Sequence, residues 1–529
     1  MGKNSLDNLV GIDLGTTVSV IAQLKPDGST HTIDNGDGEP LTPSVVYLDG
    51  QTALVGKVAK EAAAFDFSKA AQFVKRDMGS AYYERPVCGR RFRPETLSAI
   101  ILRKLKQDAE RRIGPISKAV ITVPAFFDDT RRKATEDAGR IAGLQVVDII
   151  NEPTAAALAY AMQSGGEASA SGQLLEIPGG TMTAVVYDLG GGTFDVTVVR
   201  LQAKRFETLA TDGEVRLGGK DWDDKIVHHL GARFREQFAV DPLADLHRRE
   251  WLGALAERTK ILLSRLNSVP VEFAHQGHTF TGTLSRAQFE EITADLMTRT
   301  RVVSDLVVTR QAKLSWNDLD RVLLVGGSTR MPMVKSMLRE LSGQEPDASL
   351  HPDQVVAKGA ALHAGIIAAR SGDGELEIPD ELKDQLRDVT ELNVNSHSLG
   401  IQAVDKQGTP VSVVLIRKNT QLPVAASRVF PLRYAGSTAV RVKVLEGEAK
   451  EAANNIQIGE CHITRLPAEL PRAAPIQVRL AYNASGRVNV MALDMTHGRF
   501  AQTTIDRQQG LTEEDIQRET EFVGSLDIP

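Results

Sequence analysis

Over about the first 370 residues, short apolar runs typical of strands alternate with segments whose apolar residues have helical spacing. Short apolar runs such as KAVITVPAFF (118–127) are typical of buried strands, and the segment after this run has helical spacing and a glycine stop. The same order recurs at 146–162, where the helix is expected to open at Thr154, and again at 320–341. Two strands hinged at glycines are expected at 183–201. This alternation of strands and helices predicts α/β layers.

The pattern changes after residue 395. Segments 438–448 and 475–494 alternate apolar and polar positions, with turn residues between the runs and no helical pattern. We therefore expect an all-β sandwich. Near the end, Thr512 followed three residues later by Asp515 is a helix-capping signal, which predicts a short helix.

Two stretches have the composition of connecting segments. Residues 163–173 are rich in Gly, Ser and Ala and predict a flexible surface loop, whereas residues 371–393 are acidic and poor in apolar side chains, as linkers are. The expected parts of the chain are a first domain at 1–371, a linker at 372–394, a sandwich at 395–508 and a truncated helical segment at 509–529.

Composition narrows the class of protein. The 529 residues suffice for about three or four domains or subdomains, and 42% hydrophobic with 25% charged residues is ordinary for a globular protein. A net charge of −6 gives no reason to expect nucleic acid or an anionic membrane as a partner. Cys88 and Cys461 are far apart, which argues against a disulfide framework or a cysteine zinc site. Without a signal-peptide pattern or an apolar run of about 20 residues, we expect a cytoplasmic protein.

Two similar turns carry the candidate chemistry. GIDLGTT (11–17) and YDLGGGT (187–193) each end an apolar run in Asp-Leu-Gly and reach a threonine soon after. Asp13 and Asp188 can each hold a hydrated Mg²⁺, while the glycines let backbone N–H groups approach phosphate oxygens. Either turn alone could be a hairpin that binds nothing, although three consecutive glycines are costly in backbone entropy. No P-loop or GxGxxG motif is present, so paired hairpins are the expected means of gripping a polyphosphate.

Longer strings resemble the seventy-kilodalton heat-shock chaperone family of the DnaK type, and more broadly the actin and sugar-kinase ATPase fold. The resemblance runs from about residue 8 to 520. The strings that are similar to sequence motifs of this family are GIDLGTTVS, VYDLGGGTFDV, INEPTAAALAY, LLVGGSTRMPMV and VLEGE. It implies an α/β actin-like two-lobed ATPase (nucleotide-binding) domain, followed by an all-β sandwich that binds peptides and a short helical lid.

The resemblance also implies an ATP/ADP site with Mg²⁺, held through waters by the two aspartates, and with K⁺ as a candidate additional ion. Lys75 would place the attacking water, Glu152 and Asp195 would orient or deprotonate it, and Thr193 would contact the γ-phosphate. The other implied nucleotide contacts are Gly15, Thr16, Thr17, Gly190, Gly191, Gly192, Gly218, Gly219, Glu257, Lys260, Ser264, Gly326, Gly327, Ser328, Arg330 and Asp353.

Plainer interpretations exist for single residues. A lone lysine such as Lys75 is usually a solvated charge, Glu152 could simply begin a helix, and Arg330 could be a surface charge at a helix start. The matched strings around these residues favour the functional interpretation. In the same way, Pro124 and Arg132 match the family's relay between the nucleotide and peptide sites.

The sandwich aligns less tightly with the family. The matched peptide-pocket positions are apolar, and alternating valines are also what any sandwich core contains. These positions are Ile401, Val404, Phe430, Val440 and Val442.

Four features depart from the family pattern. Lys220 stands where an acid is usual, Val18 replaces an asparagine or aromatic residue, and Arg433 aligns where the family has a small residue over its peptide. The segment 389–393 reads VTELN instead of a leucine-rich linker, so we expect weaker coupling between the domains.

Three functions are compatible with these residues. The first is an ATP-driven chaperone that binds unfolded or extended polypeptides, with hydrolysis controlling peptide affinity and with a J-domain co-chaperone and a nucleotide exchange factor as partners. The alternative is an ATPase-switch regulator, or exchange-type relative, whose sandwich binds one fixed partner. A small-molecule kinase on the same fold ranks third, because VLEGE and NEPTAAALAY favour the chaperone.

Overall fold

The computed structural model describes residues 9–163, 180–370, 379–483, 488–505 and 510–529. The loop predicted at 163–173 lies outside these residues apart from its first position, and so does the first part of the predicted linker. The described chain forms two α/β lobes, a β-sandwich and a C-terminal helix, which confirms the expected fold class.

The first lobe and the helix after it occupy residues 9–163. In chain order the elements are β1 (Leu9–Asp13), β2 (Val18–Leu24), β3 (Thr30–Thr32), β4 (Thr42–Pro43), β5 (Val45–Asp49), β6 (Thr52–Val55), α1 (Lys57–Ala63), β7 (Ala70–Gln72), α2 (Pro94–Ile113), β8 (Lys118–Val123), α3 (Asp129–Ile141), β9 (Gln145–Asn151) and α4 (Glu152–Gln163). The main sheet has the order β3-β2-β1-β8-β9 with β4 beside β2, and β6-β5-β7 form a second sheet.

Local chemistry sets where the helices of this lobe begin. α3 starts at Asp129 because the side chain of Asp128 accepts a 2.9 Å hydrogen bond from the backbone N–H of Arg131. α4 begins at Glu152, two residues before the predicted Thr154. A proline in the first turn does not prevent this start, because its missing N–H has no acceptor within the helix.

The second lobe follows from residue 182 onwards. Its elements are β10 (Met182–Leu189), β11 (Phe194–Gln202), β12 (Arg205–Glu214), α5 (Gly219–Phe238), α6 (Leu246–Leu263), β13 (Ser268–His275), β14 (His278–Ser285), α7 (Arg286–Ile292), α8 (Ala294–Asp305), β15 (Arg321–Val325), α9 (Pro332–Ser342), α10 (Val355–Arg370), α11 (Asp380–Leu386) and β16 (Thr390–Leu392). Its main sheet has the order β15-β10-β11-β12-β16.

Helix α10 joins the two lobes by close backbone packing. A Cβ on Gly11 of β1 would lie 2.0 Å from the backbone nitrogen of Ala361, and a Cβ on Gly359 would lie 1.8 Å from the carbonyl oxygen of Ala155 in α4. Glycine is therefore required at both crossings, since real side chains cannot approach backbone so closely.

Part of the predicted linker is folded. Leu382 and Leu386 of α11 are buried in the same apolar cluster as Leu24, and β16 extends the second lobe's sheet beside β12. The few apolar side chains of this acidic stretch are enough to anchor it, which its overall composition does not reveal. The domain boundaries themselves stay a prediction.

The β-sandwich consists of two four-stranded antiparallel sheets, β18-β17-β20-β21 and β19-β22-β23-β24. Its strands are β17 (Leu399–Val404), β18 (Pro410–Ile416), β19 (Val424–Pro431), β20 (Ala439–Glu446), β21 (Ile456–Thr464), β22 (Pro475–Tyr482), β23 (Val488–Asp494) and β24 (Phe500–Ile505). Inward-facing side chains such as Val444, Val478 and Val490 form one core between the sheets.

The last helix, α12 (Glu513–Ser525), is capped as predicted: Thr512 and Asp515 form a reciprocal capping box. It packs on the first lobe, where Val523 and Ile528 are buried in that lobe's core. Two polar contacts accompany the packing, a 2.8 Å hydrogen bond from Thr96 to Glu519 and a 2.6 Å ion pair between Arg140 and Glu513.

Among the helices of the described residues, none has the length and apolar character that crossing a membrane requires.

Candidate functional site

The two Asp-Gly turns lie against each other between the lobes. One is the turn between β1 and β2, and the other is the turn between β10 and β11. A Cβ on Gly191 would be 1.7 Å from Oγ1 of Thr17, and a Cβ on Gly192 would be 2.6 Å from Oγ1 of Thr16. Only residues without side chains fit at these contacts, which accounts for the consecutive glycines.

A cavity of about 640 Å³ opens beside these turns. The predicted residues that line it are Asp13, Gly15, Thr16, Thr17, Lys75, Glu152, Asp188, Gly190, Gly191, Thr193, Gly219, Glu257, Lys260, Ser264, Gly326, Gly327, Ser328, Arg330 and Asp353. Gly192, Gly218 and Asp195 lie outside this lining. A Cβ on Gly218 would be 2.5 Å from the backbone nitrogen of Gly192, so these two glycines support the wall from behind.

Four carboxylates and one lysine form an acid cluster at the inner end of the cavity. Asp13 is half-buried, and the other members are buried: Glu152, Asp188, Asp195 and Lys75. Lys75 forms an ion pair with Glu152, and Thr122 donates a 3.1 Å hydrogen bond to Asp13. A single cation among four carboxylates leaves an excess of negative charge in the cluster.

The pKa values of this cluster reflect that crowding. Burial, followed by the charge of Glu152, raises the pKa of Asp13 to about 7 and that of Asp195 to about 8. The pKa of Asp188 is also raised by burial and by Glu152. Burial lowers the pKa of Lys75, but the charges of Glu152 and Asp13 outweigh it and raise the pKa overall.

The chemistry of this donor set suits a hydrated divalent cation. Within the described ranges, no group of three His, Cys, Asp or Glu side chains is close enough to hold a metal ion directly. Asp13 and Asp188, which come from equivalent strand ends of the two lobes, are instead suited to hold Mg²⁺ through its waters, as this ion prefers.

Asp195 is positioned by the first lobe. The backbone N–H of Phe126, in the turn after β8, donates a 3.1 Å hydrogen bond to Oδ1 of Asp195. A hydrogen bond to the charged form partly offsets the burial that raises the pKa of this carboxyl. The sequence did not single out Phe126, because its contribution comes from the backbone.

The outer part of the cavity is polar and tied together by contacts across the second lobe. Lys260 of α6 contacts Asp223 of α5 at 2.8 Å and donates a 3.0 Å hydrogen bond to the carbonyl of Gly219. Arg330 and Asp353 are paired at 2.6 Å. Asp223, which is almost fully buried and lines the cavity, is a site residue that the sequence analysis missed, since an aspartate within a helix has no distinguishing local pattern.

Ion pairs connect the two lobes across the cleft. Lys60 of α1 lies 2.5 Å from Glu257 of α6, and Arg76 pairs with Asp221 at the start of α5. Lys220, the residue with reversed charge, lines the cavity but is paired with Asp224 of its own helix. Its charge is thereby partly neutralised beside the phosphate-type turns.

The turn after β8 also contacts the β-sandwich. The ring of His397 packs against that of Phe126 with centroids 4.4 Å apart, and Nε2 of His397 lies 3.2 Å from the carbonyl oxygen of Phe126. Pro124, a predicted relay residue, is buried in this turn, and Arg132 of α3 hydrogen-bonds Asn151 at the end of β9. Their role as a relay stays a prediction.

The structure separates the predicted peptide-pocket residues. Ile401 and Val442 are buried in the sandwich core, and Phe430 and Val440 are partly buried against it. Val404, at the end of β17, is 38% exposed and is not part of this cluster. Arg433 is exposed, with its guanidinium 5.1 Å from the ring centre of Tyr434.

Comparison with known proteins shows similarity to one family along most of the chain. A model of the Hsp70 protein family matches residues 9–87 and 84–523. The chaperone protein DnaK of Thermotoga neapolitana is 37% identical over 520 residues, which cover 96% of this chain and 82% of that relative.

Proposed function

The chain belongs to the Hsp70 family, and it is an ATPase and an ATP-dependent molecular chaperone; on that premise we propose how its own residues carry out these activities. The observation that carries the proposal is the contact between the two glycine turns at Gly191 and Thr17, beside a cavity with the acid cluster at its inner end. Nothing in the comparisons favours the regulator alternative.

We propose that the cleft binds ATP with its phosphates at the two glycine turns and its nucleoside toward α6. Backbone N–H groups of the turns and the hydroxyls of Thr16, Thr17 and Thr193 are suitable phosphate donors. Glu257, Lys260 and the residues of the 327–330 turn surround the outer end, where ribose and base would lie. Mg²⁺, held through water by Asp13 and Asp188, would neutralise charge on the terminal phosphates, and K⁺ is a candidate second ion.

In the hydrolysis step, we propose that Lys75 and Glu152 act as a pair. The ammonium group of Lys75, buried and charged, is available to a water molecule and the γ-phosphate, while Glu152 keeps that ammonium in place. Asp195, held by the N–H of Phe126, would orient the attacking water or accept its proton. The assignments rest on the position of Lys75 and Glu152 in the cavity wall and on the place of Asp195 in the same acid cluster.

Coupling between ATP and peptide is proposed to pass through the turn that contains Pro124 and Phe126. This turn supplies a hydrogen bond to Asp195 on one side and contacts His397 on the other. A further contact, the 2.6 Å ion pair between Lys418 and Asp212, joins the sandwich to β12. We propose unfolded polypeptides as the ligand of the sandwich, with a J-domain protein and a nucleotide exchange factor as regulators.

A cytoplasmic location is part of the same proposal. Cys88 and Cys461 are both free thiols, one exposed and one buried, which suits a reducing compartment.

Peptide affinity measured in ATP and in ADP tests the proposal. For the wild type we expect weaker peptide binding in ATP than in ADP, and for Glu152→Ala we expect the ATP-bound affinity to persist because hydrolysis stops. Glu136→Ala, at an acid of α3 whose side chain is 42% exposed, is the matched control and should behave as the wild type. Equal peptide affinity in both nucleotides would contradict the proposed coupling, and wild-type turnover in Glu152→Ala would contradict the catalytic assignment.

A further inference from the structure

His363 is buried between two carboxylates that come from different parts of the chain. Its Nδ1 lies 2.8 Å from Oε1 of Glu391, in the linker strand β16, and its Nε2 lies 2.9 Å from Oδ2 of Asp148, in β9. The side chains of His363 and Glu391 are only 10% and 8% exposed. Neither contact belongs to the ATP site described above.

The geometry requires a charged imidazole. A neutral histidine has one N–H and would face one carboxylate with a lone pair, whereas the imidazolium donates to both. Burial lowers the pKa of His363, but Glu391 and Asp148 outweigh it and raise the pKa to about 10. The ring is therefore a cation at neutral pH, with a carboxylate on either side.

Other charged and titratable groups lie on α10, the helix that carries His363, and on its neighbours. The remaining charged or titratable groups on α10 and on the elements packed around it are Asp13, His31, Lys118, Glu152, Tyr160, Lys358, Arg370, Asp380, Glu381, Lys383 and Asp384. Arg370 donates to the carbonyl oxygen of Val389 and so also holds the linker, and Tyr160 is bonded to Asp347. The groups within hydrogen-bond distance of the ring are Glu391 and Asp148.

The linker strand has few other attachments. β16 pairs with β12 over three residues, from Thr390 to Leu392, at the edge of the second lobe's sheet. The N–H of Thr390 donates a 2.7 Å hydrogen bond to the carbonyl oxygen of Lys204, and Asn393 accepts hydrogen bonds of 3.2 and 3.4 Å from Thr154 and Thr208. So short an edge strand is weakly held by its backbone pairing alone. The buried ion pair between His363 and Glu391 therefore contributes strongly to holding β16 in place.

Asp148 connects the imidazole ring of His363 to β9, the strand that leads to Glu152. The pairing of β8 with β9 shifts register just before Asp148, and such a bulge redirects a side chain. Farther along the same strand, Asn151 contacts Arg132, and Glu152 follows directly.

We propose that His363 is a positioning residue, which fixes the linker strand through Glu391 and ties its position to β9, and so to Glu152, through Asp148. The inference deepens the proposed coupling between the domains and rests on it. It also supplies a polar means of linker attachment where VTELN offers few apolar side chains.

The pH dependence has a definite sign. Because linker attachment raises the pKa of His363, protonation and attachment favour each other, and attachment is strongest below the ordinary histidine pKa of about 6.5. It weakens as the pH rises toward about 10. In this window each pH unit can weaken attachment by up to about tenfold.

Hydrogen exchange of the linker backbone at 389–393, corrected for intrinsic rates, measures attachment in the full chain. We expect wild-type protection to fall between pH 7 and pH 9.5. His363→Gln and Glu391→Gln should each reduce protection at pH 7 by about tenfold or more, remove its pH dependence, and give no further loss when combined. Asp388→Asn is the matched control, because Asp388 is 75% exposed and lies 3.7 Å from Lys204.

Steady-state ATP hydrolysis distinguishes a positioning role from a general structural one. Loss of peptide stimulation with an unchanged KM for ATP is expected only for the positioning role. In His363→Gln and in Glu391→Gln we expect the KM for ATP to stay within about twofold of wild type, while peptide stimulation of kcat is lost. Circular dichroism checks folding, and Glu391→Gln tests the idea if His363→Gln does not fold. Wild-type protection in Glu391→Gln, or pH-independent protection in the wild type, overturns the inference. Absence of ATP binding would instead overturn the proposed function, since linker protection can be measured without nucleotide.

Discussion

Phe126 hydrogen-bonds Asp195 through its backbone N–H at 3.1 Å, and its carbonyl oxygen faces Nε2 of His397 at 3.2 Å. One residue therefore contacts a carboxylate of the acid cluster and a ring of the β-sandwich. Any movement of the sandwich that displaces His397 acts on the turn that positions Asp195. This arrangement gives the proposed coupling a short path through two hydrogen-bonded groups.

Replacing His397 with alanine should uncouple peptide binding from hydrolysis. Loss of the ring removes both the stacking on Phe126 and the hydrogen bond to its carbonyl. We expect peptide stimulation of steady-state ATP hydrolysis to fall by about three- to tenfold, which corresponds to roughly 1 kcal/mol. His462→Ala, at a 43% exposed histidine of β21 paired with Glu460, is the control. Full stimulation in His397→Ala would argue against this path.

Lys75→Ala and Asp195→Ala should retain ATP binding and lose turnover. Both residues are proposed to act on the attacking water, so their loss raises the barrier of the chemical step more than it weakens nucleotide binding. We expect the hydrolysis rate measured under single-turnover conditions to fall by about a hundredfold or more. Calorimetry should show that the affinity for ATP is retained. Lys69→Ala, a surface lysine paired with Asp49, controls for loss of a positive charge. Normal turnover in either variant would remove that residue from the mechanism.

Glu95→Gln should stabilise the protein at alkaline pH. Glu95 is 5% exposed in α2, and burial raises the pKa of its carboxyl from 4.5 to about 7. A raised carboxyl pKa means that stability is greatest below about pH 4.5 and falls as the pH rises through 7, by roughly 2–4 kcal/mol in total. The neutral amide avoids this loss.

Thermal unfolding at pH 5 and pH 8 measures the effect. We expect the Tm of Glu95→Gln to exceed that of the wild type at pH 8 and to approach it at pH 5. Glu514→Gln, at an exposed acid of α12, removes the same charge without the burial. An equal Tm difference at both pH values would show that ionisation of Glu95 is not the cause.

Val523→Ala should weaken the attachment of α12 to the first lobe. Val523 is fully buried, so its truncation loses apolar contact and leaves a small cavity, at a cost of about 1–2.5 kcal/mol. Exchange of the α12 amides should accelerate accordingly, whereas Glu521→Ala on the exposed side should have little effect. Unchanged exchange would mean that the helix opens independently of this contact.

The sequence predicted those features that depend on local pattern. Strand–helix alternation identified the α/β lobes, alternating valines identified the sandwich, and Thr512 with Asp515 identified the helix cap. The two Asp-Leu-Gly turns identified residues that line one cavity. In each case neighbouring residues determine the outcome, so the pattern is visible in a single chain.

Features that depend on long-range contacts were not predictable. Asp223 enters the site because α5 and α6 pack together, and Phe126 acts through its backbone. The expectation of a weakly held linker considered only its apolar side chains. It did not include the contact of Glu391 with His363, a residue 28 positions earlier in the chain.

The burial of apolar side chains from residues 511–528 in the core of the first lobe bears on how the protein is made. Val523 and Ile528 belong to the same core as Val10 and Ile12, so the lobe that contains β1 is completed by residues that the ribosome adds only after the second lobe and the sandwich. Until then, apolar surface of that lobe stays uncovered, a state prone to aggregation. During its own synthesis, this chaperone therefore presents the kind of surface that a helper protein would have to shield.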